Sequence, residues 1–288
     1  MTDHDREIDA ATGTDLRSHD WDGIKELDTP LPLWWLWAFY ITVAWGIGYT
    51  IAYPAWPMIT EATSGILGYS TRAALVETIE EHEAANAGTD DKLVAASFEE
   101  IAADADLNGY ALAGGAAIFR TYCSQCHGAG AAGSVGYPNL LDDAWLWGGS
   151  RDEIAYTVTH GIRWDDDEDT RYSEMPAFGE SELLTSEEIG RVADFVLALS
   201  DGGASDEEAA VLYADNCAAC HGDDGLGDPT LGAPNLADAI WLYGGDRDAV
   251  IESIAKARHG VMPAWGTRLS EAEIKQVAHY VHSLGGGE

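Results

Sequence analysis

The alternation of apolar and polar positions divides the chain into four stretches of different character. From Thr29 to Thr60 there is no charged residue, and "LPLWWLWAFYITVAWGIGYTIAY", Leu31 to Tyr53, is almost wholly apolar. At 1.5 Å per residue a helix of that length crosses a hydrocarbon core of about 30 Å. The pattern therefore predicts one transmembrane helix at 31–54. Trp34, Trp35 and Trp37 at one end, and Tyr49, Tyr53 and Trp56 at the other, suit two interfacial belts. The thirty residues ahead of the span are polar and acidic overall, unlike a cleaved leader, so the span is expected to persist as an anchor. Arg6, Arg17 and Lys25 precede it, whereas only Arg72 follows within twenty residues, which favours residues 1–30 inside. No other window has comparable apolar length, so a single crossing is expected.

After the span, residues 55–108 are polar and alanine-rich and read as a connector with one or two short helices, for example near Arg72 to Ala84. The rest is an internal repeat. The first copy runs "CSQCHG…GYPNLLDDAWLWGGSRDEI…HGI…EMPAFG…LTSEEIGRVADFVLALS", and the second "CAACHG…GAPNLADAIWLYGGDRDAV…HGVMPAWG…LSEAEIKQVAHYVHSLG". Each ends in a helix announced by a capping box, Thr185 with Glu188 and Ser270 with Glu273. Ile189, Val192, Val196 and Leu199 keep helical spacing in one, and Ile274, Val277, Val281 and Leu284 in the other. Each copy opens with a helix running into its cysteines; Ser205 and Glu208 are placed to cap the second. No sustained period-two alternation occurs. The expected fold is all-α, one N-terminal transmembrane helix followed by two tandem domains at 109–201 and 204–288.

Composition adds a charge constraint. Fifty Asp and Glu oppose fifteen Lys and Arg, for a net charge of −35, which excludes a nucleic-acid-binding surface. The acidity permits two readings: a heavily solvated surface suited to a salt-rich setting, or steering of a basic partner. The main length difference between copies is an acidic insert, "RWDDDEDTRYSE", whose run Asp165 to Asp169 admits the same two readings.

The four cysteines, Cys123, Cys126, Cys217 and Cys220, form two C-x-x-C pairs, each followed directly by a histidine, His127 or His221. C-x-x-C-H is the haem c attachment signature. Two thiols form thioethers to the haem vinyl groups, and the adjoining imidazole coordinates iron. A zinc ribbon would not require the histidine directly after the second cysteine in both copies, and a thioredoxin-like pair would need a βαβ context. A sixth ligand closes each iron. Met175 and Met262 are the only methionines in the repeats, one in each, 48 and 41 residues beyond the proximal histidines and each before a proline. A methionine sulfur raises the reduction potential. By repeat position Met175 pairs with His127 and Met262 with His221; whether each serves its own copy or the other stays open. His160 and His259, in matched "HG" phrases, are the rival ligands, while His279 and His282 read as exposed.

With these residues in place the repeats resemble class I cytochromes c. The resemblance implies that Pro138 and Pro234, in the "PNL" segments, offer a carbonyl to the proximal imidazole, and that Leu140 and Leu236 pack on the haem. The whole arrangement, "WDGIKELDTPLPLWWLWAFYITVAWGIGYTIAYPAWP" with "GYPNLLDDAWLWGG" and "HGVMPAWG", is similar to the dihaem subunit of cbb3-type cytochrome c oxidases, CcoP or FixP, subunit III. It covers residues 19 to about 60 and about 110 to 286. The resemblance implies two covalently bound haem c groups and a relay of electrons. A donor cytochrome c would supply them, and a mono-haem cytochrome c subunit and the haem–copper catalytic subunit of a proton-translocating complex would receive them. This chain would transfer electrons without catalysing a reaction on its own. It would be anchored in a bacterial inner membrane with the repeats in the periplasm. The competing readings are an anchored cytochrome outside any oxidase and a dihaem peroxidase, which would need a coordination position that opens.

Overall fold

The computed structural model describes residues 7–200 and 206–287. The chain divides into two compact units, Met1–Ala85 and Asn86–Glu288.

The first unit opens with an antiparallel hairpin, β1 (Leu16–Trp21) and β2 (Ile24–Leu27), a departure from the all-α expectation. The cause is local. Asp22 and Gly23 both take positive φ, 52° and 89°, as a two-residue hairpin turn demands, and Asp-Gly is its usual sequence. The Gly23 N–H donates to Asp20 Oδ1 at 2.6 Å. Helix α1 (Leu33–Ala52) follows, twenty residues with none buried. It is the one helix among the described residues long and apolar enough to cross a membrane. A helix that is apolar all round and uncovered needs an apolar medium. The chain beyond it folds back so that the amides of Ile66 and Leu67 donate to the carbonyls of Ile51 and Ala52, satisfying orphan acceptors at the helix end.

Helix α2 (Thr71–Ala95) is one element of 25 residues, twice the length expected for the connector. The "AGTDD" sequence does not break it, although a mid-helix glycine such as Gly88 costs about 1 kcal/mol relative to alanine. Its last turn supplies Leu93, fully buried, to the second unit.

The second unit is helical. After α3 (Phe98–Ala103) and α4 (Ala105–Ile118) a single π turn, Phe119–Cys123, leads into α5 (Ser124–His127). Helices α6 (Arg151–His160) and α7 (Ser186–Leu199) complete the first copy. The second contains α8 (Glu207–Asn216), α9 (Ala218–His221), α10 (Arg247–Lys256) and α11 (Glu271–Ser283). Both expected capping boxes form. Ser205 lies outside the described residues, and α8 is capped instead by Asp206, which accepts from the amides of Glu208 and Ala209.

The cores do not follow the contiguous division at 109–201 and 204–288. Residues of α3, α4, the π turn and α6, among them Ile101, Ala111, Phe119 and Val158, pack with Ile274, Val277 and Val281 of α11. Val192 and Val196 of α7 pack with Tyr213 of α8 and with Val250 and Ile254 of α10. The sequence repeats keep their boundaries, but each closing helix crosses to the other copy. Matched aromatic contacts mark the exchange: Phe119 with Tyr280, and Tyr213 with Phe195. At the α4–α11 crossing the backbones meet so closely that a Cβ on Gly115 would lie 2.2 Å from the Gln276 carbonyl oxygen.

Candidate haem-binding sites

In each copy the cysteines and the following histidine lie on one tight helical turn. Cys123 ends the π turn, and Ser124 to His127 form α5; Cys217 joins α8 to α9, which ends at His221. Both turns stop at a glycine of positive φ, Gly128 at 80° and Gly222 at 78°, a conformation that only glycine adopts cheaply. The stop lets the chain double back, so that His127 O accepts from the Gly133 amide and His221 O from the Gly227 amide, both at 2.8 Å.

That return brings the "PNL" segments against the imidazoles. His127 Nδ1 lies 3.1 Å from Pro138 O, and His221 Nδ1 lies 3.0 Å from Pro234 O. A prolyl carbonyl can only accept, so Nδ1 carries the proton and Nε2 keeps its lone pair, the tautomer an iron ligand needs. Burial pushes both histidines below the ordinary imidazole value, offset in part by these bonds, a shift that favours the neutral form. Leu140 packs against the first core and Leu236 against the second, each fixed by an amide bond, to Ala131 O and Gly225 O.

The cysteines fit attachment chemistry better than the alternatives. All four are free thiols. Burial pushes Cys123 and Cys217 up to about 11, opposite to the lowered value of a reactive redox pair. They also form no metal cluster. Among the described residues the grouped His, Cys, Asp and Glu side chains are His160, Asp167 and Asp169.

The methionine loops lie against the opposite copies. Met262 and Ile162 exchange amide bonds in both directions, 2.9 and 3.0 Å, and the amides of Trp265 and Gly266 donate to Val158 and Thr159 at the end of α6. Met262 itself packs on the first core, as do Cys123 and Leu140. Reciprocally, the amides of Phe178 and Gly179, just after Met175, donate to Ile254 and Ala255 at the end of α10. Phe178 is buried in the second core. Repeat position alone paired Met175 with His127; the backbone instead carries the Met262 loop to the His127 half and the Met175 loop to the His221 half. The reason is the same helix exchange, because each loop leads directly into α7 or α11.

The rival histidines have other partners. His160 Nδ1 lies 3.1 Å from the Asp167 carboxylate, and its ring sits against Tyr156. His259 is exposed, with Nδ1 2.9 Å from Ala257 O. His279, expected on the surface, is buried in the first core region. Its Nε2 is 2.7 Å from Asn108 Oδ1, across the exchanged α4–α11 contact. In the acidic insert Asp167 turns inward to His160 while Asp165, Asp166 and Glu168 are exposed. Sequence reading missed Arg163 and the pair Trp147 and Tyr243. Trp147, buried, lies against Gly232 of the second copy, and Gly136 of the first donates its amide to Leu242 O. The two "PNL" loops are thus braced by the opposite "WLWGG" and "WLYGG" phrases. Their matched position in both repeats was the available signal.

Comparison with known proteins identifies the family of the chain. Residues 13–60 match the family described as the N-terminal domain of cytochrome oxidase-cbb3, FixP. Residues 111–196 and 204–281 match cytochrome c oxidase, cbb3-type, subunit III. The chain is 58% identical over 273 residues to the cbb3-type cytochrome c oxidase subunit CcoP of Cereibacter sphaeroides, covering 94% of each. It is 48% identical over 291 residues to subunit FixP of Sinorhizobium medicae, covering 100% of each. With CcoP of Rhodobacter capsulatus the identity is 50% over 282 residues, covering 94% of this chain and 95% of that one.

Proposed function

The chain belongs to the CcoP and FixP subunits of cbb3-type cytochrome c oxidase, an electron-transfer role, and we propose that it holds two haem c groups with crossed axial ligands. One is held by Cys123, Cys126 and His127 with Met262; the other by Cys217, Cys220 and His221 with Met175. The observation that carries the pairing is the reciprocal docking of Trp265–Gly266 on α6 and of Phe178–Gly179 on α10. Bound there, haem c supplies a one-electron carrier whose potential a methionine ligand raises. The protein's own contribution is to fix each imidazole tautomer through Pro138 or Pro234. It also fastens each methionine loop across the repeat boundary and braces each "PNL" loop against the opposite "WLWGG" or "WLYGG" phrase.

In this reading a donor cytochrome c reduces the subunit, which passes electrons to the mono-haem and haem–copper subunits of the complex. The exposed Asp165, Asp166 and Glu168 draw a basic donor. Helix α1 anchors the subunit in the bacterial inner membrane, and Arg17 and Lys25 ahead of it support a cytoplasmic N-terminus with the repeats in the periplasm.

The ligand pairing is tested in a chain carrying Cys217→Ala and Cys220→Ala, so that only the first site attaches haem. Its methionine–iron charge-transfer absorption should vanish on Met262→Leu and persist on Met175→Leu. The reverse outcome would restore pairing within each repeat, and a parent lacking the absorption would remove methionine ligation altogether.

A further inference from the structure

The methionine loops are separated by 87 residues in sequence, and one half-buried side chain touches both. Arg163 Nε donates to Ser173 O at 2.8 Å, two residues before Met175, and Arg163 Nη1 donates to Gly260 O at 2.9 Å, two residues before Met262. The backbone around Arg163 is built for this reach. Its φ is 54°, uncommon and costly for a residue with a Cβ. Its amide is bonded to Arg171 O, while the adjoining Ile162 is paired with Met262. Tyr243, Glu174 and Tyr172 lie within electrostatic reach of the guanidinium. The guanidinium offers these donors from two separate nitrogens, Nε and Nη1, held in one plane, so each carbonyl has its own N–H in a fixed direction.

We propose that Arg163 is a positioning residue that clasps both methionine loops, so that the two sixth-ligand sites are held by one cation and respond together. The inference rests on the crossed His/Met reading for its consequence at iron, but the clasp itself stands on the two hydrogen bonds. A fixed positive charge beside both loops also favours the reduced state of both groups, because reduction adds negative charge there. The acidic insert thus begins with a residue that ties its far end to the second copy.

The test compares Arg163→Ala and Arg163→Lys with the parent, as full-length haem-loaded subunit in detergent. Three readouts are taken: amide exchange, the charge-transfer absorption of both groups, and both midpoint potentials. With Arg163→Ala, the protected amides Ile162 and Met262 on one side and Arg163 and Arg171 on the other should all exchange at least tenfold faster, since charged hydrogen bonds are lost from both sides. Both absorptions should weaken and both potentials should fall. Arg163→Lys keeps the charge but replaces the two separate donor nitrogens, Nε and Nη1, with one on a shorter side chain, so at least one side should still exchange faster while both potentials stay nearer the parent. If the alanine variant does not accumulate, the lysine variant decides alone. Parental exchange on both sides, or a potential shift confined to one group, would overturn the clasp. Absence of charge-transfer absorption in the parent would instead fault the methionine ligation, leaving the exchange result to judge Arg163 by itself.

Discussion

Val277 on α11 is completely buried, and its counterpart on α7 is Val192, 1% exposed. Truncating either to alanine removes two methyl carbons, about 1.6 kcal/mol of transfer free energy at ~0.8 kcal/mol per methylene. The unrelaxed part of the cavity adds up to about 1 kcal/mol at ~24 cal/mol per Å³. A loss of about 2–3 kcal/mol is a large share of the ~5–15 kcal/mol that holds a domain together, and it acts on whichever helices share the cavity. Because α11 packs on α4 and α6, Val277→Ala should speed amide exchange in α4 and α6 by roughly thirtyfold, the factor for ~2 kcal/mol at 1.4 kcal/mol per decade. Exchange in α8 should stay near the parent value, although α8 and α11 belong to the same sequence repeat. Val192→Ala should do the opposite, accelerating α8 and α10 and sparing α4. The assay is hydrogen exchange read by mass spectrometry on peptides from 105–118, 151–160, 207–216 and 247–256. If Val277→Ala loosened α8 and left α4 untouched, the exchanged architecture would be refuted, and with it the basis for crossed ligation.

Two further outcomes follow from the same contacts. Gly115→Ala should lower the thermal midpoint, by overpacking worth about 1–3 kcal/mol, because its Cβ would meet Gln276 O at 2.2 Å and Tyr280 Cβ at 2.5 Å. Gly109→Ala, on the same helix with nothing within 4 Å, should instead gain about 0.5–1 kcal/mol; circular-dichroism melts compare the two. Burial holds His279 below the usual histidine value, with Arg151 and His282 adding to the effect. The unfolded chain therefore binds the proton first, and stability should fall as pH drops below about 6.5, the unfolded value. Melting across pH 5–8 should show that slope, and His279→Gln, which can still donate to Asn108, should flatten it.

Much of this was legible locally. The span at 31–54 rested on uninterrupted apolar composition, and α1 occupies its middle. The closing helices were marked by capping boxes, which form because side chain and backbone only three residues apart satisfy each other. The attachment turns were marked by five consecutive residues, and the "PNL" prolines lie where the cytochrome resemblance placed them. The hairpin at β1–β2 is legible too, in the Asp22-Gly23 turn. The length of α2 was not, because its continuation depends on Leu93 reaching a core formed by distant residues. His279 read as surface because the partner that covers it, α4, lies some 170 residues earlier.

The sequence by itself determined the units: one apolar span, two copies of a C-x-x-C-H repeat with one methionine each, and two amphipathic helices that each need an apolar groove. It could not determine which groove each helix takes. The repeats present two nearly equivalent grooves, and helical periodicity specifies a face without naming its partner. That choice rests on contacts made only after folding, the Gly115 approach, the matched aromatic pairs and the bonds from Trp265 and Phe178 to the opposite copies. Through it the tertiary structure alone set which methionine loop lies against which copy, and brought Arg163 between the two loops.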